Sequence, residues 1–175
     1  LFTSNGDWPG NNVKMWRERK AGAKWRWILI DTDFGFGIWG RSSSTNDIKS
    51  TLLATGTEWP NPAWSTLLFR KLTSNTEFKN EFVQRFAAHI SLTYNYDRVA
   101  SICSSMKAKI ANEIPYHFER WNKYEGSWSS DVDAMVDWSD NRGPAVMGHL
   151  KSEFALGSTS DLTLSIAGGG FVKVQ

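Results

Sequence analysis

The first strongly apolar run of the chain lies near its beginning. Residues 25–30 read Trp-Arg-Trp-Ile-Leu-Ile, so an extended run would carry apolar side chains on both faces. Tryptophan and isoleucine suit a pleated surface, and apolar residues on both faces are typical of a strand that is covered on both sides. The pattern therefore predicts a buried strand, which ends at the polar residues that follow it.

From Pro62 onward, apolar residues recur every three or four positions, which is the spacing of amphipathic helices. Proline suits the first turn of a helix, so Pro115 predicts one helix start. We expect the apolar stripes to form the core. The stripes are Trp64, Leu67, Leu68 and Leu72; Phe78, Phe82, Phe86 and Ile90; Val99, Ile102, Cys103, Met106 and Ile110; Phe118 and Trp121; Val132, Met135, Val136 and Ser139; and Val146, Met147 and Leu150.

Helix boundaries are predicted from three short patterns. Ser74, followed three residues later by Glu77, fits a capping box at a helix start. Ser129-Ser130-Asp131 fits the start of a later helix, and Gly143-Pro144 predicts a break in it.

The end of the chain has a different pattern. Residues 161–166 and 171–174 alternate between apolar and polar side chains, with Gly168, Gly169 and Gly170 between them. This predicts a terminal hairpin over residues 156–175, or the start of a following β-domain. The fold class is therefore predicted as α+β: a short N-terminal β segment, four or five packed helices and a C-terminal hairpin. Residues 1–155 are assigned to one domain, since the 175-residue chain is long enough for one real core.

Two aspartates follow the predicted strand. Asp31 and Asp33 are two residues apart, so they point the same way if the strand continues through them. Neighbouring carboxylates repel each other, which raises one pKa unless a cation lies between them. A hard ion such as Mg²⁺ takes one or two carboxylates together with phosphate and water. The pair predicts a metal site, and the alternative is a strand that simply ends in a polar turn.

A second polar cluster precedes the strand. Asp7 and Asn12 are five residues apart, with a Pro-Gly turn between them. In protein kinases that spacing joins the aspartate that accepts the hydroxyl proton to an asparagine that binds metal, and a further metal aspartate comes from an Asp-Phe-Gly triplet. Asp33-Phe34-Gly35 is such a triplet here. Each match is weak alone, and the order in which they occur strengthens the interpretation.

Several stretches together resemble the core of the spore coat protein H (CotH) kinase-like family. They are Asn5-Gly6-Asp7-Trp8-Pro9-Gly10-Asn11-Asn12, Trp16-Arg17, the run from Lys24 through Asp31-Thr32-Asp33, and Gly37. The resemblance continues through Asn75-Thr76-Glu77-Phe78 and the Trp121 region, and it covers residues 1 to about 155. It implies the mainly helical larger lobe of an atypical protein-kinase-like fold, and transfer of phosphate from ATP to Ser or Thr of a protein.

The resemblance also implies roles for individual residues. Asp7 would be the catalytic base or would orient the substrate, while Asn12 (less favoured, Asn11), Asp31 and Asp33 would hold one or two Mg²⁺ ions on the ATP phosphates. Arg17 is a candidate for contact with the nucleotide. The lysine that grips the nucleotide is expected upstream of Leu1, in a missing lobe, so we expect the isolated chain to be inactive. An extracellular, cell-surface or spore-coat location is implied in the same way.

Two other classes of function stay open. Trp16, Trp39, Trp59, Trp64 and Trp128 can be a sugar-stacking surface of a non-catalytic binding module. Alternatively, Asp7, Asp31 and Asp33 can bind Ca²⁺ in a purely structural site. The sequence Gly35-Phe36-Gly37-Ile38-Trp39-Gly40 matches a dinucleotide-binding pattern, but the loop-like residues after it argue against that function.

Composition limits the remaining possibilities. A formal net charge of +2 argues neither for nor against an acidic partner, and nucleic acid is not among the predicted partners. The chain has no apolar run long enough for a membrane span. The single cysteine, Cys103, excludes an internal disulfide and lies in an apolar stripe, which predicts a packing role.

Overall fold

The computed structural model describes residues 1–122 and 125–171. About 53% of the chain is helical, and the strands form one short antiparallel pair. The α+β class is therefore confirmed. The elements are β1 Lys14–Trp16, β2 Arg26–Ile28, α1 Ala63–Leu72, α2 Thr76–Leu92, α3 Tyr96–Ile110, α4 Ile114–Trp121 and α5 Glu125–Glu153.

Helix α5 is the element against which most of the others pack. It contacts α2, α3 and α4, and also the short π-type turn Ile48–Leu52. Spacings of three and four residues place several buried side chains on one face of α5: Ser139, Arg142, Val146 and Leu150. None of the described helices combines the length and the apolar composition that crossing a bilayer requires.

The core consists of two buried clusters on this face. Phe2, Ile90 and Val146 form the first cluster, and Ile48, Val83 and Leu150 form the second. Phe86 and Met147 pack against both clusters, so they join them into one core. The α2 stripe predicted from its four-residue repeat therefore does face the core.

The N-terminal segment is held inside this core. The ring of Phe2 stacks on Tyr94 with centroids 4.3 Å apart, and Ser4 is fully buried. Burying one aromatic side chain stabilises a fold by roughly 1.5–3 kcal/mol. The residues that follow, which include the first polar cluster, thus leave the core from a fixed point.

Arg142 joins the N-terminal segment to a later loop. Its side chain is 1% exposed and forms a buried ion pair with Asp47. Its guanidinium also donates to the backbone carbonyls of Phe2 (2.9 Å), Ser43 (2.7 Å) and Thr45 (2.6 Å). Arginine's five N–H groups are therefore largely satisfied, which makes burial of its charge tolerable.

The predicted buried strand is wrong in extent and in burial. β2 covers only three residues and pairs with β1 in the register Lys14↔Ile28, Met15↔Trp27 and Trp16↔Arg26. Trp25 and Trp27 remain 61% and 54% exposed. The reason is that β1 is the only sheet neighbour of β2 in the described residues, so the apolar faces are not enclosed between layers.

The three helix boundaries predicted at Ser74, Ser129 and Gly143-Pro144 are also wrong. The cap of α2 is Asn75, whose side-chain oxygen accepts from the backbone N–H of Phe78 at 2.9 Å, and not Ser74. α5 already begins at Glu125, before Ser129, and it continues through Pro144. A proline inside a helix costs about 3 kcal/mol, and the buried face around Arg142 offsets that cost.

The third stripe is less buried than predicted. Val99 is buried, whereas Ile102, Met106 and Ile110 are exposed on α3. Cys103 is partly buried and unpaired. A helical period identifies the apolar face, but it does not show how much of that face a neighbouring helix covers.

The predicted terminal hairpin lies only partly within the described residues, so it stays a prediction. Residues 161–166 have no strand assignment there, and residues 172–175 lie outside the described part. That residues 156–175 begin a following β-domain stays a prediction.

Candidate functional site

The first polar cluster folds into a turn that its own side chains stabilise. The backbone N–H of Asp7 donates to Oδ1 of Asn5 at 2.9 Å. One carboxylate oxygen of Asp7, Oδ2, accepts from the side-chain amides of Asn11 (3.0 Å) and Asn12 (2.9 Å). The asparagines thus fix the orientation of the Asp7 carboxylate, and its other oxygen accepts no side-chain hydrogen bond from the described residues.

The second cluster is a turn and not the continuation of a strand. Asp31 has a left-handed backbone, with φ at +52°, which aspartate and asparagine tolerate better than most residues. The side chains of Asp31 and Asp33 nevertheless meet. A hydrogen bond with the Asp33 carboxyl raises the pKa of Asp31, and the negative charges of Asp33 and Asp7 raise it further.

The two clusters lie side by side. Nδ2 of Asn5 donates to the backbone oxygen of Asp31 at 3.2 Å, and the Asn12 side chain lies close enough to Asp31 to favour its ionised form. The structure thus brings together all four residues predicted for catalysis and metal binding: Asp7, Asn12, Asp31 and Asp33. Asp7 and Asn12 are half-buried, and the two other aspartates are exposed.

Backbone contacts bring the clusters together. The N–H of Phe36 donates at 2.8 Å to the carbonyl of Thr3, which directly follows the core-anchored Phe2. Gly35 lies so close that an added Cβ would be 2.9 Å from that carbonyl oxygen. The acidic turn is therefore tied to the same segment from which the Asp7 turn begins.

A close approach of two loops supports the Asp7 turn from the other side. A Cβ added at Gly10 would lie 1.6 Å from the carbonyl oxygen of Pro60, so only glycine fits there. Sequence reasoning treated Gly10 as part of a Pro-Gly turn, and the partner loop around Pro60 was not predicted.

Arg17, the predicted nucleotide contact, lies outside this cluster. Its guanidinium stacks over the ring of Trp25, 5.1 Å from the centroid, on the exposed hairpin. Its role in binding a nucleotide stays a prediction. The glycine-rich stretch after Asp33 leads only into the short 3-10 turn Ile38–Gly40, so the helix start that a dinucleotide site requires does not follow it.

The donor atoms of the cluster fit a hard divalent cation. Within the described residues, no three carboxylate, imidazole or thiol groups are arranged to surround one ion. The acidic turn offers two carboxylates in contact, and the Asn12 amide lies beside them. Mg²⁺ usually takes one or two carboxylates and completes its six ligands with phosphate oxygens and water, so this partial set is appropriate for it.

Sequence reasoning missed two groups near the site. One is the buried charge cluster of Arg41, Asp47 and Arg142, in which both arginines form ion pairs with the single aspartate. The other is a small cavity between Phe34 and Trp39. Neither has a local sequence signal, because the residues of each meet only through the tertiary fold.

These features define a mainly helical α+β domain with an oxygen-rich acidic site at its N-terminal end. Residues 1–146 match the family described as CotH kinase protein, so the chain belongs to the CotH kinase family, and the resemblance noted in the sequence is confirmed. No curated protein and no solved structure matches the chain.

Proposed function

We propose that this chain is the larger lobe of an atypical protein kinase, which transfers the γ-phosphate of ATP to Ser or Thr of a protein. The observation that carries the proposal is the meeting of Asp7, Asn12, Asp31 and Asp33 in one cluster at the surface. Phosphoryl transfer needs mainly positioning of the reactants and neutralisation of charge. Carboxylates that hold a cation serve the neutralisation, and a carboxylate of fixed orientation serves the positioning.

Each residue has a separate task in this proposal. Mg²⁺ and ATP supply the electrophilic phosphoryl group and neutralise its charge. Asp31 and Asp33 hold the cation through carboxylate oxygens, and the Asn12 side-chain oxygen is the third ligand from the chain. The free oxygen of Asp7 accepts the hydrogen of the Ser or Thr hydroxyl, while Asn11 and Asn12 hold the other oxygen in place.

The proposal includes an upstream lobe that contacts the nucleotide. Such a lobe would supply a cation for the phosphates, and we therefore expect the 175-residue chain alone to fold, to bind ATP weakly and to transfer no phosphate. An extracellular, cell-surface or spore-coat location is proposed from membership of the family.

Transfer of radioactive γ-phosphate by the full-length protein tests the proposal. Asp7→Ala should lower kcat by about 10²- to 10⁴-fold, the usual contribution of a positioned acid or base, with little change in the KM for ATP. Asp161→Ala, which removes an exposed carboxylate in the C-terminal segment, is the matched control. Equal turnover by the wild-type protein and Asp7→Ala would refute the assignment.

A glycan-binding module is the second candidate, because Trp16, Trp39, Trp59 and Trp64 are all largely exposed. Binding of oligosaccharides that is lost in single Trp→Ala variants, together with no phosphate transfer, would favour it. A structural Ca²⁺ site is tested by comparing ions: ligand distances near 2.1 Å indicate Mg²⁺, and distances of about 2.3–2.6 Å indicate Ca²⁺.

A further inference from the structure

A small cavity lies directly beside the acidic cluster. It measures about 300 Å³ and is lined by Gly6, Phe34, Ile38, Trp39 and Arg41. Gly6 is bonded to Asp7, and Phe34 is bonded to Asp33. Two residues that line the cavity are thus chain neighbours of Asp7, the proposed acceptor-orienting carboxylate, and of Asp33, a proposed metal ligand.

The walls of the cavity are apolar and open to solvent. The rings of Phe34 and Trp39 stand 6.4 Å apart at an angle of 44°, and Trp39 is 82% exposed. Trp39 also has a left-handed backbone, with φ at 60° and ψ at 25°, a conformation that is unfavourable for a bulky residue. An exposed aromatic residue that is held in an unfavourable backbone conformation beside a candidate site favours a binding role over a packing role.

Arg41 forms a fixed polar side of the cavity. Its Nε donates to Ser4 Oγ at 2.6 Å, it pairs with Asp47, and its carbonyl accepts from the indole of Trp138 at 2.8 Å. Its remaining nitrogen, Nη1, has no hydrogen-bond partner among the described residues, and a Cβ at Gly6 would lie 3.1 Å from it. Both N–H groups of Nη1 are therefore free at the rim of the cavity.

We propose that this cavity is a specificity subsite for the protein substrate, which binds one large aliphatic or aromatic side chain next to the acceptor Ser or Thr. This inference rests on the proposed function. Gly6 and Phe34 line the cavity and are the chain neighbours of Asp7 and Asp33, so an acceptor segment whose hydroxyl reaches Asp7 would pass close to it. An N–H group of Arg41 Nη1 donates to a backbone carbonyl of that segment.

The chemistry of the cavity selects an uncharged side chain. Arg41 already shares Asp47 with Arg142, and an acidic side chain that entered would give up its hydration among the apolar side chains of Phe34, Ile38 and Trp39. A basic side chain would lie against a guanidinium and three apolar walls, which is unfavourable. Leucine, methionine or phenylalanine fits both the size and the walls, and binding buries the otherwise exposed rings.

The test uses the full-length protein and peptides with one central Ser, in which each flanking position carries Leu, Phe, Ala, Glu or Lys. The wild-type protein should prefer Leu or Phe at one fixed position. Trp39→Ala should reduce kcat/KM by about tenfold for the preferred peptide, as expected when the burial of an apolar side chain is lost, and hardly at all for the Ala peptide. Trp39→Phe should retain most of the preference.

The control is Trp121→Ala, which removes another exposed tryptophan, on α4, and should leave the peptide preference unchanged. Unchanged preference in Trp39→Ala would overturn the subsite. A higher KM for ATP in Trp39→Ala, with the peptide preference unchanged, would overturn it as well, because the cavity would then hold the nucleotide.

A binding measurement separates this inference from the proposed function. Fluorescence polarisation of labelled Leu and Ala peptides is measured with the same variants in the absence of ATP. Preferential binding of the Leu peptide that Trp39→Ala abolishes, without any phosphate transfer by the wild-type protein, would support the subsite and refute the kinase proposal. Phosphate transfer with no preference for an apolar residue beside the Ser would support the kinase proposal and refute the subsite.

Discussion

At the scale of single residues, left-handed backbone shapes the candidate site. Asn12 and Asp31 both have positive φ, at 52° each. Asparagine and aspartate adopt this conformation more readily than other non-glycine residues, and both bring oxygen ligands with them. The same residues thus provide the sharp turns of the two clusters and the polar atoms that meet between them.

Replacement of Asp31 by Asn should change the dependence of stability on pH. Because the folded-state pKa of Asp31 is raised above 3.8, the folded state holds this proton more tightly than the unfolded state does, and stability falls as pH rises through that window. Asp31→Asn should therefore raise the melting temperature slightly at pH 7 and leave it unchanged near pH 3. Thermal denaturation across this pH range measures the effect.

Magnesium should make the wild-type protein more stable than Asp31→Asn at pH 7. Addition of Mg²⁺ should raise the melting temperature of the wild-type protein, and this increase should disappear in Asp31→Asn and Asp33→Asn, which should also lose phosphate transfer in the full-length protein. If a variant with both Asp31→Asn and Asp33→Asn showed the same Mg²⁺-induced increase in melting temperature as the wild-type protein, the acidic turn would be excluded as the metal site.

Replacement of Gly10 by Ala should displace the Asp7 turn. The new Cβ would overlap the Pro60 carbonyl oxygen, so the two loops must separate, at a cost of about 1–3 kcal/mol in the free energy of unfolding. Urea denaturation measures this cost. At Gly56 the nearest atom to an added Cβ is 4.0 Å away, so Gly56→Ala is the control. Equal stability of the two variants would contradict the close approach.

At the scale of secondary-structure elements, burial decides where the sequence pattern holds. α2 has both a strong apolar stripe and α5 beside it, and its helix is confirmed. Two-stranded sheets are only marginally stable alone, and the hairpin of β1 and β2 has two strands of three residues each. The hairpin carries apolar side chains on both faces, but no layer of the described residues packs against those faces to bury them.

Helix α5 offers a substitution that should increase stability. Gly148 is exposed in its interior, and an added Cβ there has no atom within 4 Å. Gly148→Ala should therefore raise the free energy of unfolding by about 0.5–1 kcal/mol, because alanine loses less backbone entropy in a helix than glycine does. Urea denaturation with far-UV circular dichroism measures the change. A decrease would mean that the C-terminal part of α5 is not helical in solution.

At the scale of the whole molecule, one buried charge cluster connects distant parts of the chain. Arg142 on α5 contacts the N-terminal segment through Phe2 and the loop after the acidic turn through Ser43 and Asp47. The N-terminal segment leads into the first polar cluster, and the loop follows the second. The position of the candidate site thus depends on a residue that takes no part in the proposed chemistry.

Removal of the Arg142 side chain should destabilise the entire fold. Arg142→Met leaves Asp47 buried beside Arg41 alone, and breaking a buried ion pair costs about 3–5 kcal/mol. The control is Arg85→Met, which breaks an exposed pair with Glu81 and should cost less than about 1 kcal/mol. Chemical denaturation that gave both variants similar stability would contradict a structural role for Arg142.

The sequence alone indicated the helices, the candidate site residues and the family. Helical periodicity and motif spacing are local properties, so α1 to α4 and the order Asp7, Asn12, Asp31 and Asp33 are visible in the chain without its fold. The chemical types of those residues likewise indicated a hard cation before any geometry was known.

Only the tertiary structure decided what covers each apolar face and which distant groups meet. The exposure of the hairpin, the continuity of α5 through Pro144 and the burial of Arg142 all depend on contacts between residues far apart in the chain. The same holds for the cavity beside Phe34 and for the approach of Gly10 to Pro60. Such contacts follow from the free energy of the whole packed chain, in which burial outweighs local preference, and no short stretch of sequence contains that information.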